Sequence, residues 1–450
     1  MTNYERWLSL TSGLSSPQNY IDWSFRYLIG ASLQRRVWVG PSHQQCFPDM
    51  YVILVGRPGI GKGLAIREVS SALSYWKLKD AIKYNSKLDE VQKLTADSVL
   101  QSDIENAQSN ELQASNKKNA IVDPLLIPLA ADATTYEALV SAVASSYRRI
   151  NYIAFDEKIQ QNVLKIYGHS SLCFSLQELS SLLRARTNDT VNYLLGLYDC
   201  PEDYTYDTKT KGKDRVRRGC LNLLAGTTPS FMRSIFDSKL VDEGLSSRTF
   251  FIFSEKNRKS VFFIPELTDE QKQHKKELYD HIRQLTGLYG KARVSQQTWD
   301  FLADWWDNYE KSLDNRSNNS VKLMPYYSRK NIHVMKVAMA IHFAESLDMT
   351  IPQLCFEQAI NVLEKEEKNM HLALMMDGTN PISKISNKII DYLKLGRKNF
   401  VDIYIHVFEM GTKQQIEEAL SFLTDTGKAT LESEVDEITT RSVQYWRLKE

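Results

Sequence analysis

Apolar positions fall into two spacings along this chain, and the change between them marks its organisation. Ile21, Phe25, Leu28 and Ile29 recur three or four apart, which predicts a helix ahead of Arg35-Arg36-Val37-Trp38. Tyr51-Val52-Ile53-Leu54-Val55 is an unbroken apolar run, as in a parallel strand covered on both faces. A Gly-rich turn and a helical stretch, Leu64 to Leu73, follow it. Residues 76–118 are polar and predict an extended helix or helical pair. Leu125–Leu129 is a second apolar run, with Asp132-Ala133-Thr134-Thr135 as a helix N-cap and a helix to about Tyr147. Strand-like pieces follow near Tyr152–Phe155, Val163–Tyr167, Leu172–Leu176, Leu221–Leu224 and Phe250–Phe253. Strands alternating with helices predict an α/β layer with a largely parallel sheet over 51–255.

Beyond residue 256 the spacing is helical throughout. Segments 268–287, 296–313, 326–347 and 352–373 predict an all-α domain over 256–380, closed by the linker Asp377-Gly378-Thr379-Asn380-Pro381. Residues 381–450 predict helices at Ile385–Leu395, Phe400–Phe408 and Lys413–Leu423, then a hairpin of Ala429–Glu432 and Ser442–Leu448, the order of a winged helix. Residues 1–50 are expected to form an N-terminal helical segment.

Composition narrows the class. With 450 residues, 42% hydrophobic and 25% charged, the chain is globular and long enough for several domains. Lys and Arg total 56 against 55 Asp and Glu, which excludes a polybasic tail protein but not a local basic patch. There is no apolar run of membrane-spanning length, and Glu5 and Arg6 precede any apolar stretch, so neither a membrane span nor a signal peptide is expected. The five cysteines form no CxxC pair and the eight histidines no HExxH, so buried thiols in a reducing cytoplasm are expected rather than disulfides or zinc.

The chemistry begins at Gly56-Arg57-Pro58-Gly59-Ile60-Gly61-Lys62, a GxxxxGK sequence between a buried strand and a helix. Its glycines let backbone N–H groups turn toward phosphates, the helix start adds a positive dipole end, and Lys62 supplies a point charge. Gly56, Pro58, Gly59, Ile60, Gly61, Lys62, Gly63 and Leu64 are the candidate nucleotide contacts. Gly63 stands where Ser or Thr normally offers a hydroxyl to magnesium.

An acid at the end of a neighbouring strand is needed for the metal and the attacking water. Asp156-Glu157 lies between two short strand-like pieces and suits a solvated hairpin tip. Glu178 closes Leu172-Cys173-Phe174-Ser175-Leu176-Gln177 and leads straight into a helix, so it is the favoured acid and metal-side residue, with Gln177 where Asp is expected. The strand Leu221–Ala225 ends at Thr227-Thr228-Pro229, where either hydroxyl suits a γ-phosphate sensor and Thr228 equally suits a helix cap. Arg248 precedes another apolar strand and suits either an arginine finger or a surface ion pair. Arg329 and Lys336 lie seven apart on one helix face, facing either nucleotide or solvent.

Tyr204 to Arg218 alternates, turns near Gly212 and returns, with six basic residues and one acid in 209–218. Lys209, Lys211, Lys213 and Arg215 are the candidate nucleic-acid contacts. The candidate third helix of the winged helix, Lys413–Leu420, is not basic, so protein contact is as compatible with it as groove readout.

Together, VGRPGIGKG at 55–63, FSLQELSSLL at 174–183, YDCPEDYTYDTKTKGK at 198–213, LNLLAGTTPSFM at 221–232, GLSSR at 244–248 and YYSRKNIHVMKVAMA at 326–340 resemble bacteriophage and mobile-element AAA+ ATPases of the helicase or helicase-primase-like type. MCM and superfamily 3 ring helicases are similar to these. The match in order and spacing covers about 50–340. The resemblance implies a AAA+ P-loop core, an insert hairpin near 152–167, a pre-sensor-1 hairpin at 204–218, Arg248 as the arginine given to a neighbouring subunit, and Arg329 or Lys336 as a second sensor. It implies ATP and Mg2+ as cofactors, a hexameric homo-oligomer, single-stranded and forked duplex DNA as partners, and a primase or polymerase working beside it. An ATP-binding initiator or helicase loader with weak hydrolysis is the alternative that Gly63 and Gln177 favour.

Overall fold

The structure, a computed structural model, describes residues 1–75, 127–132, 135–156, 161–183, 187–208, 212–236, 244–313, 323–375, 381–435 and 442–448. The polar stretch 76–118 lies outside the described residues. The chain divides into two compact units, Met1–Leu374 and Met375–Glu450. The segments expected at 1–50 and 51–255, and the expected helical region as far as Leu374, all belong to the first.

In chain order the strands are β1 (Val37–Trp38), β2 (Tyr51–Val55), β3 (Tyr147–Asp156), β4 (Gln161–Leu176), β5 (Asp203–Thr208), β6 (Gly212–Arg217), β7 (Gly219–Thr227), β8 (Thr249–Phe253), β9 (Gly290–Lys291), β10 (Lys398–Asn399), β11 (Ala429–Val435) and β12 (Ser442–Leu448). The main sheet has the order β3-β4-β7-β2-β8, with β4, β7, β2 and β8 parallel and β3 antiparallel to β4. Leu129, in the second apolar run, makes a parallel bridge to Cys173 of β4. Every residue of β2, β7 and β8 is buried, so these strands show no polar alternation.

The Gln18–Leu33 helix explains why the N-terminal segment belongs to the core. Twelve of its residues are buried. Tyr20 Oη donates to Val55 O at 2.6 Å, Tyr27 Oη to Phe174 O at 2.6 Å, and Trp23 packs on Phe250, so the helix lies across the sheet. The Lys330–Glu345 and Asp269–Leu285 helices pack against it as well. A helix covered on several sides loses its polar stripe, and its pattern is therefore weakly amphipathic. The Asn3–Thr11 helix starts with a capping box of Thr2 and Glu5, and Arg6 pairs with Glu277 at 2.7 Å.

β3 and β4 form one long hairpin. The expected pieces at 163–167 and 172–176 are a single strand, which pairs with β3 in its first part and enters the parallel sheet from Ser170. Tyr289 ties the hairpin down, with ring centroids 4.0 Å from Tyr152 and 4.8 Å from Tyr167. All five cysteines are buried and free, as expected.

The second unit contains the helices Pro381–Leu393, Phe400–Val407 and Lys413–Asp425 and the antiparallel sheet β10-β12-β11. Its core includes Ile385, Ile389, Ile403, Ile416, Leu420 and Trp446. No helix among the described residues is long and apolar enough to cross a membrane.

One buried ion pair joins the start of β2 to the helical region. Lys336 Nζ lies 2.5 Å from Asp49 Oδ1 and 4.4 Å from the centre of the Tyr198 ring, and both charged side chains are almost fully buried. Burial pushes the Asp49 carboxyl up, against the pull of Lys336. Removing one partner strands a buried charge. Lys336→Met is expected to cost about 3–5 kcal/mol in chemical denaturation. Adding Asp49→Asn to it is expected to recover part of that loss.

Candidate nucleotide-binding site

The Gly56–Lys62 loop leaves the carboxyl end of β2, where open α/β sheets place their ligands. Gly59 and Gly61 take φ of 78° and 88°, left-handed values that suit glycine. Ser16 Oγ donates to Gly61 O at 2.7 Å, and a Cβ on Gly61 would stand 2.9 Å from Ser16 Cα. The residues just before the Gln18–Leu33 helix thus press directly on the loop. Ile60 is fully buried, whereas Pro58 and Gly59 are exposed. Gly63 and Leu64, half-buried, begin the first turns of a helix over 62–75.

Lys62 is 6% exposed, and its ammonium folds into the curve of the loop, donating to Gly56 O at 2.6 Å and Arg57 O at 3.0 Å. Burial lowers its pKa, and the negative charge of Glu178 works in the opposite direction. Glu178 therefore lies within electrostatic reach of Lys62, as its place after β4 predicted. Leu179 N–H donates to Gly226 O at 2.7 Å, which locks the end of β4 to β7. Asp156, by contrast, pairs with Gln161 at the far tip of the β3–β4 hairpin. At 3.3 Å per residue, that tip is roughly 50 Å along the strand from Leu176. Glu157 lies outside the described residues.

Thr227 and Thr228 separate clearly. Thr227 ends β7 beside Val55, accepts from Gly56 N–H at 3.2 Å through its carbonyl, and has a fully buried hydroxyl with no hydrogen-bond partner. Thr228 Oγ1 accepts from Phe231 N–H at 3.3 Å and lies 3.0 Å from Ser230 Oγ, so it caps the Pro229–Phe236 helix. Of the two hydroxyls, that of Thr227 is unpartnered at the end of β7, and that of Thr228 is engaged as a helix cap. Near the loop, a cleft of about 590 Å³ is lined in part by Gln18, Asn19, Phe253, Ser254, Arg258 and Glu366.

The three remaining cations are not at this end of the sheet. Arg248 directly precedes β8, whose Thr249 is level with Tyr51 at the start of β2. It pairs with Asp199 at 3.0 Å. Arg329 reaches the same Asp199 at 3.1 Å, and Lys336 is held by Asp49, two residues before β2. All three surround the Tyr198 ring, with centroid distances of 5.8, 5.8 and 4.4 Å. Arg329 and Lys336 do meet at one place, the Tyr198 ring. The expectation that one of them reaches the chain's own nucleotide does not hold, because Asp49 and Gly56 are separated by roughly 20 Å of strand. Arg329 is the N-cap residue of its helix, not an interior residue.

The basic hairpin is present as β5 and β6, with Thr208 opposite Gly212. Lys209 and Lys211 lie outside the described residues, and Lys213 is level with Asp207. Arg215 makes a two-pronged, solvent-exposed ion pair with Asp203 at 2.8 and 3.0 Å. Arg218 pairs with Glu202 at 2.9 Å, and that carboxylate also holds buried Arg35. Counting 209–218 alone left out Asp203 and Asp207 on the opposite strand and Glu202 just before it. A turn at Gly212 already implied that register. Asp199, Asp49 and Ser16, by contrast, carry no motif that marks them.

No protein-family model matches the chain, and no curated protein matches it either. The orphaned Thr227 hydroxyl gives a direct test. Thr227→Val keeps the shape and removes an unpaired buried hydroxyl, so thermal stability is expected to hold or rise. Triphosphate turnover, or nucleotide affinity if turnover is negligible, is expected to fall.

Proposed function

We propose that this chain is an ATP-dependent motor on DNA, of the AAA+ ring-helicase kind, acting in bacteriophage or mobile-element replication. The observation that carries the reading is the convergence at one end of the parallel sheet. The Gly56–Lys62 loop follows β2, Glu178 follows β4 within electrostatic reach of Lys62, and the unpartnered Thr227 hydroxyl ends β7. Lys62 would leave its two loop carbonyls and balance phosphate charge. Glu178 would orient a water and accept its proton, and Thr227 would hold that water or a terminal phosphate oxygen.

The residues present suit magnesium. It prefers hard oxygen ligands and keeps several waters, and Gln177, Glu178 and the nucleotide phosphates supply such oxygens. When bound, the ion would neutralise charge on the phosphates.

Arg248 and Arg329, at the opposite end of the sheet from their own loop, favour a ring in which each subunit offers arginines to its neighbour. The pairs with Asp199 would then open on assembly. The β5–β6 tip would grip the strand, and the second unit fits a winged helix by its order of helices and hairpin. An ATP-binding initiator or loader is the second reading, favoured by Gly63 and by Gln177 in the place of an aspartate.

ATP turnover with and without single-stranded DNA, run beside forked-duplex unwinding, separates the two. Turnover stimulated by DNA together with unwinding is expected, whereas binding without turnover would leave the loader. Replacing Lys209, Lys211 and Lys213 by alanine is expected to spare basal turnover. It should also flatten the salt dependence of single-strand affinity, by about 0.7 in log–log slope for each phosphate that is no longer neutralised. An unchanged slope would remove the hairpin from the proposed DNA path.

A further inference from the structure

Gly63 and Gln177, which depart separately from the expected ligand pattern, are one feature in space. An ideal Cβ on Gly63 would stand 2.1 Å from Gln177 Oε1 and 3.3 Å from Cδ. The carboxamide at the end of β4 therefore occupies the room that a side chain at position 63 would take. Its oxygen is the near atom, since Nε2 is 4.0 Å from the same point. The backbone holds the residue there. Gln177 O is 2.5 Å from where a Cβ on Gly226 would lie, and Leu179 N–H donates to Gly226 O at 2.7 Å. Lys62 Cβ is 3.4 Å from that same Gly226 position, so Gln177, Gly226 and the phosphate-loop lysine pack around one point.

We propose that Gln177 supplies, through its Oε1, the neutral oxygen ligand to nucleotide-bound magnesium that a hydroxyl at residue 63 would otherwise supply, and that Gly63 is the space this requires. The inference rests on the nucleotide reading above. A carboxamide carbonyl is a hard, uncharged oxygen, as a hydroxyl is, so the exchange leaves the charge of the site unchanged. The anionic share falls to the phosphates and to Glu178, the next residue along. The absence of a hydroxyl at 63 is then a relocation of the ligand from the loop helix to the neighbouring strand.

The test is the magnesium dependence of ATP affinity, measured by calorimetry on the full chain in EDTA and in excess Mg2+. Gln177 is exposed, so Gln177→Ala removes no core packing. The wild type is expected to bind ATP more tightly with Mg2+. Gln177→Ala should keep the EDTA affinity and lose about tenfold of the magnesium-dependent tightening, the scale on which ligand-shell changes act. Gly63→Ser placed in the Gln177→Ala background should restore it, because the space is then vacant and the hydroxyl returns. Gln177→Ala with undiminished magnesium tightening, or a double variant without recovery, overturns the proposal. Wild-type ATP binding that ignores Mg2+ also overturns it while sparing the nucleotide reading. No ATP binding in either condition overturns both.

Discussion

The Gly56–Lys62 loop and the start of the helix after it lie between the Ser16 backbone and the Gln177 side chain, which leave no room for a side chain on Gly61 or Gly63. On one side Ser16 sits against Gly61, anchored by the helix that crosses the sheet and bonds Val55 and Phe174 through Tyr20 and Tyr27. On the other, Gln177 fills the place of a side chain on Gly63 and presses its carbonyl toward Gly226. Glycine at these positions is a packing requirement as much as a conformational one. The N-terminal helices, the sheet and the helical region accordingly form one unit, since the loop is shaped by parts of the chain far apart in sequence.

The two ends of the sheet carry different electrostatics. At the carboxyl ends of the strands, the buried Lys62 ammonium is held by the loop carbonyls of Gly56 and Arg57, with Glu178 in electrostatic reach. At the amino ends, Arg248, Arg329 and Lys336 surround one aromatic ring and are balanced by Asp199 and Asp49. The Asp49–Lys336 pair is buried and fixes helix to strand. The pairs to Asp199 are partly exposed, so solvent and salt weaken them and a competing anion displaces them more readily. This contrast separates Lys336, in a buried pair, from Arg248 and Arg329, whose pairs are partly exposed.

Much of this was legible in the sequence because it is local. The unbroken apolar runs at 51–55 and 250–253 became fully buried parallel strands, and Thr135 caps the Tyr136–Ser145 helix as its position suggested. Glu178 was separable from Asp156 by the residues after each, a helix in one case and a hairpin return in the other. The features that were not legible depend on pairing across the chain. The charge of the basic hairpin is offset at its base by Asp203 and by Glu202 just before β5, and Lys336 is claimed by Asp49 from 287 positions away. The coupling of Gly63 to Gln177 is of the same kind, since each residue alone looks like a loss.

The central claim is that the Gly56–Lys62 loop binds nucleotide phosphates through Lys62. Ligand binding to the folded state raises stability with the logarithm of the ligand's excess over its dissociation constant, by about 2.7 kcal/mol at a hundredfold excess. Thermal unfolding of the first unit within the full chain, followed across an ATP titration with Mg2+, measures this directly. A midpoint that climbs with ATP in the wild type and stays flat in Lys62→Ala is the predicted result. An equal climb in Lys62→Ala, or none in the wild type, would contradict the account.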